Sequence, residues 1–126
     1  MRYMLLIYGQ EAPGPLPPEE DRAVRAGHRA VVDDAIARGV FRAAEPLHPV
    51  ATATTVRRQG GRLLIGDGPF AETREQLAGY YILECRDLDE ALEWAARIPA
   101  AGAGLSGCVE VRPIGATPRP LHANCE

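Results

Sequence analysis

The sequence predicts an α+β domain. Two strand–helix–strand halves share one antiparallel sheet with both helices on one face, a ferredoxin-like sandwich with a β-hairpin inserted between the halves. Three observations carry this. A continuous apolar run at residues 3–8 is followed by a helical apolar stripe. A second strand–helix–strand pattern fills the C-terminal half, and two strand-like runs flank Gly60-Gly61 between the halves.

Each element can be justified in order. Residues 3–8 carry no polar interruption and predict a strand buried on both faces. Four prolines within residues 13–18 forbid regular structure. Pro17-Pro18-Glu19-Glu20-Asp21 then opens a helix, because proline suits a first turn and carboxylates favour the positive end of the helix dipole. Val24, His28, Val31 and Ala35, with Val32 and Ile36 alongside, form one apolar stripe on a helix ending at Gly39. A short strand at 40–45 is closed by Pro46 and Pro49. Residues 52–58 and 62–65 around Gly60-Gly61 read as a hairpin, and Asp67-Gly68-Pro69-Phe70 reads as a turn. Residues 79–85 form a further strand. Asp87 caps a second helix, and Glu90 completes a capping box. Leu88, Ala91, Leu92, Ala95 and Ile98 are that helix's apolar stripe, which Pro99 ends. Residues 108–112 alternate as a strand with one wet face.

Composition narrows the chemistry. The 126 residues suit one domain, able to bury roughly two-thirds of the surface of the unfolded chain. Hydrophobic residues at 46% and charged residues at 25% are those of an ordinary globular chain, and a net charge of −3 speaks against a nucleic-acid or anionic membrane partner. All 14 basic residues are arginine, which excludes a Schiff-base or pyridoxal lysine and a Walker phosphate loop. Three widely spaced cysteines, Cys85, Cys108 and Cys125, suit a reducing compartment. The short apolar N-terminus lacks a leader's cleavage site, and no stretch approaches the roughly 20 apolar residues of a membrane span. A cytoplasmic chain is expected.

Candidate residues for chemistry are few. His28 sits on the apolar stripe of the first helix; it reads either as a general base, given a carboxylate to fix its tautomer, or as a packed histidine with one hydrogen bond. Asp67, at a strand end before Gly68-Pro69-Phe70, reads either as a rigidly held carboxylate beside an aromatic wall or as part of a turn that Phe70 anchors to the core. Tyr8, Tyr80 and Tyr81 lie on strands as core residues, and one of their hydroxyls is available to a pocket. Gly102 to Gly107 matches a dinucleotide fingerprint in spelling, but it leaves a helix and enters a strand, the reverse of what phosphate binding needs. Ser106, the only serine, lacks a nucleophile elbow. His28, His48 and His122 are scattered, so no metal site and no cofactor is expected. Arg57, Arg58 and Arg62 read as a solvated face.

The strings Met4-Leu5-Leu6-Ile7-Tyr8, Ala53-Thr54-Thr55-Val56-Arg57, Asp67-Gly68-Pro69-Phe70-Ala71-Glu72-Thr73, Gly79-Tyr80-Tyr81, Asp87-Leu88-Asp89-Glu90-Ala91 and Val109-Glu110-Val111-Arg112-Pro113 resemble the DGPF branch of the YCII-related proteins. The resemblance runs from residue 1 to about 114, leaving 116–126 as a C-terminal tail beyond a domain at 1–115. It implies a dimeric α+β barrel. The wider family carries a histidine on its first helix, to which His28 is similar, and a nearby aspartate, the two being proposed as an acid–base dyad. That aspartate follows a Gly-Pro-Leu-like string after the second strand, where this chain has Glu45-Pro46-Leu47-His48, so the resemblance leaves Asp67, beyond the hairpin, to serve instead. Members of the branch often sit beside extracytoplasmic-function sigma factors.

Two functions stay open. One is a small acid–base enzyme of lyase or isomerase type, with His28 and Asp67 catalytic and Tyr8, Pro69, Phe70 and Tyr81 lining a pocket for a small organic molecule. The other is a non-catalytic ligand-binding or regulatory module. Under both, the uncovered sheet face predicts a homodimer with its sheets face to face.

Overall fold

The apolar run near the N-terminus becomes β1 (Arg2–Gly9), a central strand hydrogen-bonded on both sides. The computed structural model describes residues 1–100 and 105–116. Within them α1 (Pro18–Ala37), β2 (Phe41–Pro46), β3 (Thr54–Gln59), β4 (Arg62–Asp67), β5 (Gln76–Glu84), α2 (Leu88–Ala95) and β6 (Gly107–Pro113) follow in chain order. The main sheet is ordered β2-β5-β1-β6, antiparallel at every pairing, while β3 and β4 form a separate two-stranded sheet. This is the predicted ferredoxin-like α+β sandwich with an inserted hairpin.

Successive strand residues point to opposite faces, so the sheet divides its side chains strictly. On the inner face Tyr3, Leu5, Ile7, Tyr81 and Leu83 meet Val31 and Ala35 of α1 and Ala91 and Trp94 of α2 in one buried cluster, joined by Cys85 and Ile98. The outer face carries the rows Ala43–Ile82–Met4–Arg112 and Glu45–Tyr80–Leu6–Glu110. Met4, Leu6, Tyr8, Tyr80 and Ile82 are only half-buried there. The expectation that the first strand is buried on both faces is therefore corrected. Both helices lie on one side, and among the described residues nothing covers the other.

Helix α1 begins as predicted, with Pro18 in the first turn and Glu19, Glu20 and Asp21 at its positive end. It gives way to Gly39 at φ 74°, a conformation glycine adopts without strain. Val31 and Ala35 are buried, but Ile36, expected on the same stripe, is exposed. In α2 the Asp87 side chain accepts the Glu90 backbone N–H at 2.9 Å. The capping box stops at that half, because the Glu90 carboxylate pairs with Arg86. The predicted stripe is also turned. Ala91, Trp94 and Ile98 are buried, whereas Leu88 and Leu92 are 48% and 47% exposed. An eight-residue helix presents a narrow face, and the indole buries more apolar area there than either leucine would.

The hairpin turns on Gly60 and Gly61 at φ 57° and 77°, the pair of positive values that a two-residue primed turn requires. Its root is fastened: Gly68 N–H donates to the Ala53 carbonyl at 2.7 Å, and Val50 N–H donates to the Glu11 carboxylate at 2.9 Å. Beyond the root, every residue of β4 and all of β3 but Thr55 are exposed.

The corrected face of α2 has a measurable consequence. In urea titrations Trp94→Ala should cost about 3–5 kcal/mol, the range for truncating a buried aromatic, and Leu92→Ala under about 1 kcal/mol. Equal losses would return Leu92 to the core.

Candidate functional site

His28 lies on α1 about one turn before Val31, where the helix faces β5. Its Nδ1 is 2.8 Å from the Tyr81 hydroxyl, with the rings stacked at 6.0 Å and 27°. Tyr81 is 3% exposed and flanks Leu83 on the inner face. A phenol so placed needs a polar partner, and the imidazole supplies it. Burial lowers the His28 pKa and raises that of Tyr81, so both are neutral at pH 7. Among the described residues His28 Nε2 has no hydrogen-bond partner, and no side-chain nitrogen or oxygen is both buried and unpartnered. Nε2 therefore keeps contact with solvent. When Tyr81 donates to Nδ1, Nε2 carries the proton; when Nδ1–H donates to the phenol oxygen, Nε2 is a base.

The remaining residues singled out in the sequence fall in other places. Asp67, Pro69 and Phe70 share a groove of about 360 Å³ with Thr55, Arg57, Gln59, Leu64 and Ile65 on the hairpin. Phe70 is 76% exposed, which corrects the reading that it anchors the turn to the core. Among the described residues no hydrogen bond or ion pair joins Asp67 to His28, and the position beside Nδ1 is held by Tyr81. Tyr8 lies on the outer face of the sheet, across from Cys108 and Leu77. The structure thus pairs His28 with Tyr81, gathers Asp67 with Pro69 and Phe70, and leaves Tyr8 apart. His48 is exposed, and among the described residues no three His, Cys, Asp or Glu side chains gather as metal ligands. Gly102, Gly104, His122 and Cys125, considered above, lie outside the described residues.

A second groove, of about 680 Å³, was not foreseen. Its floor is Trp94, with Arg38, Arg97, Glu84, Cys85, Arg86, Glu90 and Glu93 around it. The Arg97 and Arg38 guanidiniums lie 4.8 and 5.4 Å from the indole centroid, and both pair with Asp34, at 2.6 and 3.1 Å. The Arg97 hydrogen bond, foremost, holds the Asp34 carboxyl below its usual pKa. Burial raises the Cys85 thiol, leaving it protonated and unreactive at neutral pH. With its cations already paired, this groove is a clasp between α1 and α2. Asp34 and Arg38 at i,i+4, together with the single tryptophan, were the sequence signals for it.

The chain has the sheet and helices of a ferredoxin-like protein, and a neutral, half-buried helix histidine as its most distinctive group. Residues 1–115 match the YCII-related domain. Among similar proteins is an uncharacterised protein of Rhizobium meliloti (strain 1021), R00369, 37% identical over 115 residues spanning 90% of this chain and 92% of that protein. The chain belongs to the YCII-related family. No helix among the described residues is long and apolar enough to cross a membrane.

Burial of His28 makes stability depend on pH in a definite direction. Its folded pKa lies below the usual 6.5, so in the window between the two values the unfolded chain binds the extra proton. His28 therefore adds a loss of stability as pH falls from about 6.5 through the folded value, and none above that window. Urea midpoints measured from pH 8 to 5 should show this slope in the wild type and its reduction in His28→Gln, which does not titrate. Parallel profiles would contradict it.

Proposed function

We propose that the protein is a homodimer, its sheets face to face, in which His28 is the acid–base residue for a small organic substrate in lyase- or isomerase-type chemistry. The observation that supports this most is the neutral His28, with Nδ1 fixed by the Tyr81 hydroxyl at 2.8 Å and Nε2 reaching solvent. A base of this kind works best near its own pKa, and the lowered value keeps it unprotonated and ready to abstract a proton. Tyr81 takes the orienting role beside Nδ1, and its hydroxyl can follow the ring's change of protonation. Asp67 is proposed as the carboxylate of the reaction, acting from the hairpin, with Pro69, Phe70 and Tyr8 contributing to ligand contact.

The non-catalytic reading has its own support. Asp67, Arg57 and Phe70 line one groove, a set able to hold a small polar molecule by charge and aromatic contact without any histidine. In that reading His28 serves to satisfy a buried phenol, and the dimer is a ligand-binding or regulatory module, with the sigma-factor association suggested by the resemblance as its setting.

Titration of the His28 ring by NMR separates the roles. In the acid–base reading the wild-type ring titrates below 6.5, Tyr81→Phe changes its tautomer balance, and Asp67→Asn lowers its pKa further by removing the negative charge that this reading brings to the ring. An unchanged titration in Asp67→Asn removes Asp67 from the dyad. A thermal-shift screen of small organic acids and phenols completes the comparison. Ligand stabilisation that survives His28→Ala but is lost in Asp67→Ala/Phe70→Ala favours the binding module.

A further inference from the structure

We propose that the open edge of β6 pairs with β6 of a second copy of this chain, antiparallel across a two-fold axis at Val111, so that two four-stranded sheets run on as one. This contact lies at the side of the molecule and is separate from the face-to-face pairing above. β6 ends the sheet order, and β1 is its only strand partner among the described residues. Its ladder to β1 runs from Gly107 to Pro113 without a shift, whereas the opposite edge, β2, is irregular between Phe41 and Ala43. A regular edge is a template for another strand, and a bulged one is blunted. Hydrogen bonding shows which groups of β6 are free. Ile114 N–H donates to the Arg2 carbonyl and Gln10 N–H to the Ser106 carbonyl, both continuing the β1–β6 register. Alternation then turns the backbone groups of Cys108, Glu110 and Arg112 toward β1, and those of Gly107, Val109, Val111 and Pro113 outward. Pro113 has no N–H, and it falls where the sheet asks for none.

Charge selects the register. Glu110 and Arg112 are exposed on the outer side of β6, and among the described residues neither makes an ion pair. An axis at Glu110 would set glutamate against glutamate, and one at Arg112 arginine against arginine. An axis at Val109 sets Glu110 against Cys108. With the axis at Val111, each Glu110 meets the partner's Arg112 in the closely spaced pairs, where opposite charges attract. Val111 there exchanges both backbone bonds with its copy, and Val109 N–H meets the carbonyl of the partner's Pro113. The helix layer supplies an apolar complement. On α2, Ala91 and Trp94 face the sheet, while Glu90 and Glu93 line the groove toward α1, where Arg97 reaches Asp34. Leu88 and Leu92, one turn apart and exposed, are left pointing away from α1. Because α2 packs on β6 and α1 on β2, that direction is the β6 edge. The axis that joins the strands therefore brings Leu88 and Leu92 toward the same pair on the copy and takes apolar surface out of water.

Sedimentation of the full chain from about 0.1 to 100 µM, with hydrogen exchange of the Val109 and Val111 amides, tests the edge. Leu88→Asp/Leu92→Asp should halve the mass of the wild-type assembly at an unchanged circular-dichroism spectrum, and should release both amides to exchange. Glu110→Arg and Arg112→Glu should each raise the Kd of edge pairing by about 10-fold or more. Glu110→Arg/Arg112→Glu in one chain should restore it, because the swap returns opposite charges to facing positions. Wild-type mass in Leu88→Asp/Leu92→Asp, fast exchange of Val111 in the assembled wild type, or no rescue by the charge swap overturns edge pairing and leaves the face-to-face dimer standing. A fall from tetramer to dimer in Leu88→Asp/Leu92→Asp supports both contacts. A fall from dimer to monomer supports the edge and removes the face-to-face dimer. A wild type that stays monomeric at 100 µM overturns both.

Discussion

Two helices cover one face of a four-stranded sheet, and the rest of the structure follows from that count. β1 is paired on both sides, so its alternate residues have no choice of face. Tyr3, Leu5 and Ile7 enter the core with α1 and α2, and Met4, Leu6 and Tyr8 are left on the outside. The outer residues are as apolar as the inner ones. A sheet with apolar side chains on both faces and helices on one keeps apolar surface in contact with water, and that surface is the basis of the proposed dimer. The surface left open is thus a property of the strand pattern, independent of any particular loop.

The inner face has a constraint of its own. Tyr81 is carried into the core by the same alternation that buries Leu83, and it brings a hydroxyl with it. Only one polar side chain on the stripe of α1 is placed to meet that hydroxyl, and it is His28. Burial then acts on both groups in the direction of neutrality, because the charged form of each loses hydration. The same contact that satisfies the core also fixes one nitrogen of an imidazole and leaves the other toward solvent. A structural requirement and a chemical opportunity coincide in one pair of atoms, so substitution of His28 alone reads out both at once and needs Tyr81→Phe beside it.

Between the two halves the chain makes an excursion that its own body does not use for packing. The hairpin is held at its root by Gly68, Ala53, Val50 and Glu11, and its strands touch water on both faces. Opposite the hairpin's end of the molecule, α1 and α2 are tied by Asp34, Arg38, Arg97 and Trp94, with the two guanidiniums against the indole. The helix layer is therefore tied by its own side chains, while the inserted segment is held only at its root.

The linear sequence by itself determined the order of elements, the paired glycines of the hairpin turn, the proline and acidic start of α1 and the Asp87 cap, because each depends on neighbours within a few residues. It also marked His28, through its place on an apolar stripe, and the Asp67–Phe70 turn, through an unusual local string. Tertiary structure decided which face each helix turns inward. An eight-residue helix offers too few turns for periodicity to distinguish Leu88 and Leu92 from Trp94, and the sheet's demand for bulk settled it. It also decided that a phenol from β5, 53 residues away, holds the imidazole. Contacts of that range depend on register and on which side of the sheet a helix crosses, and neither is encoded in local spacing. The placement of Asp67 on a separate ribbon has the same origin: a carboxylate near a candidate base in a motif is near it in space only if the strands between them pair that way.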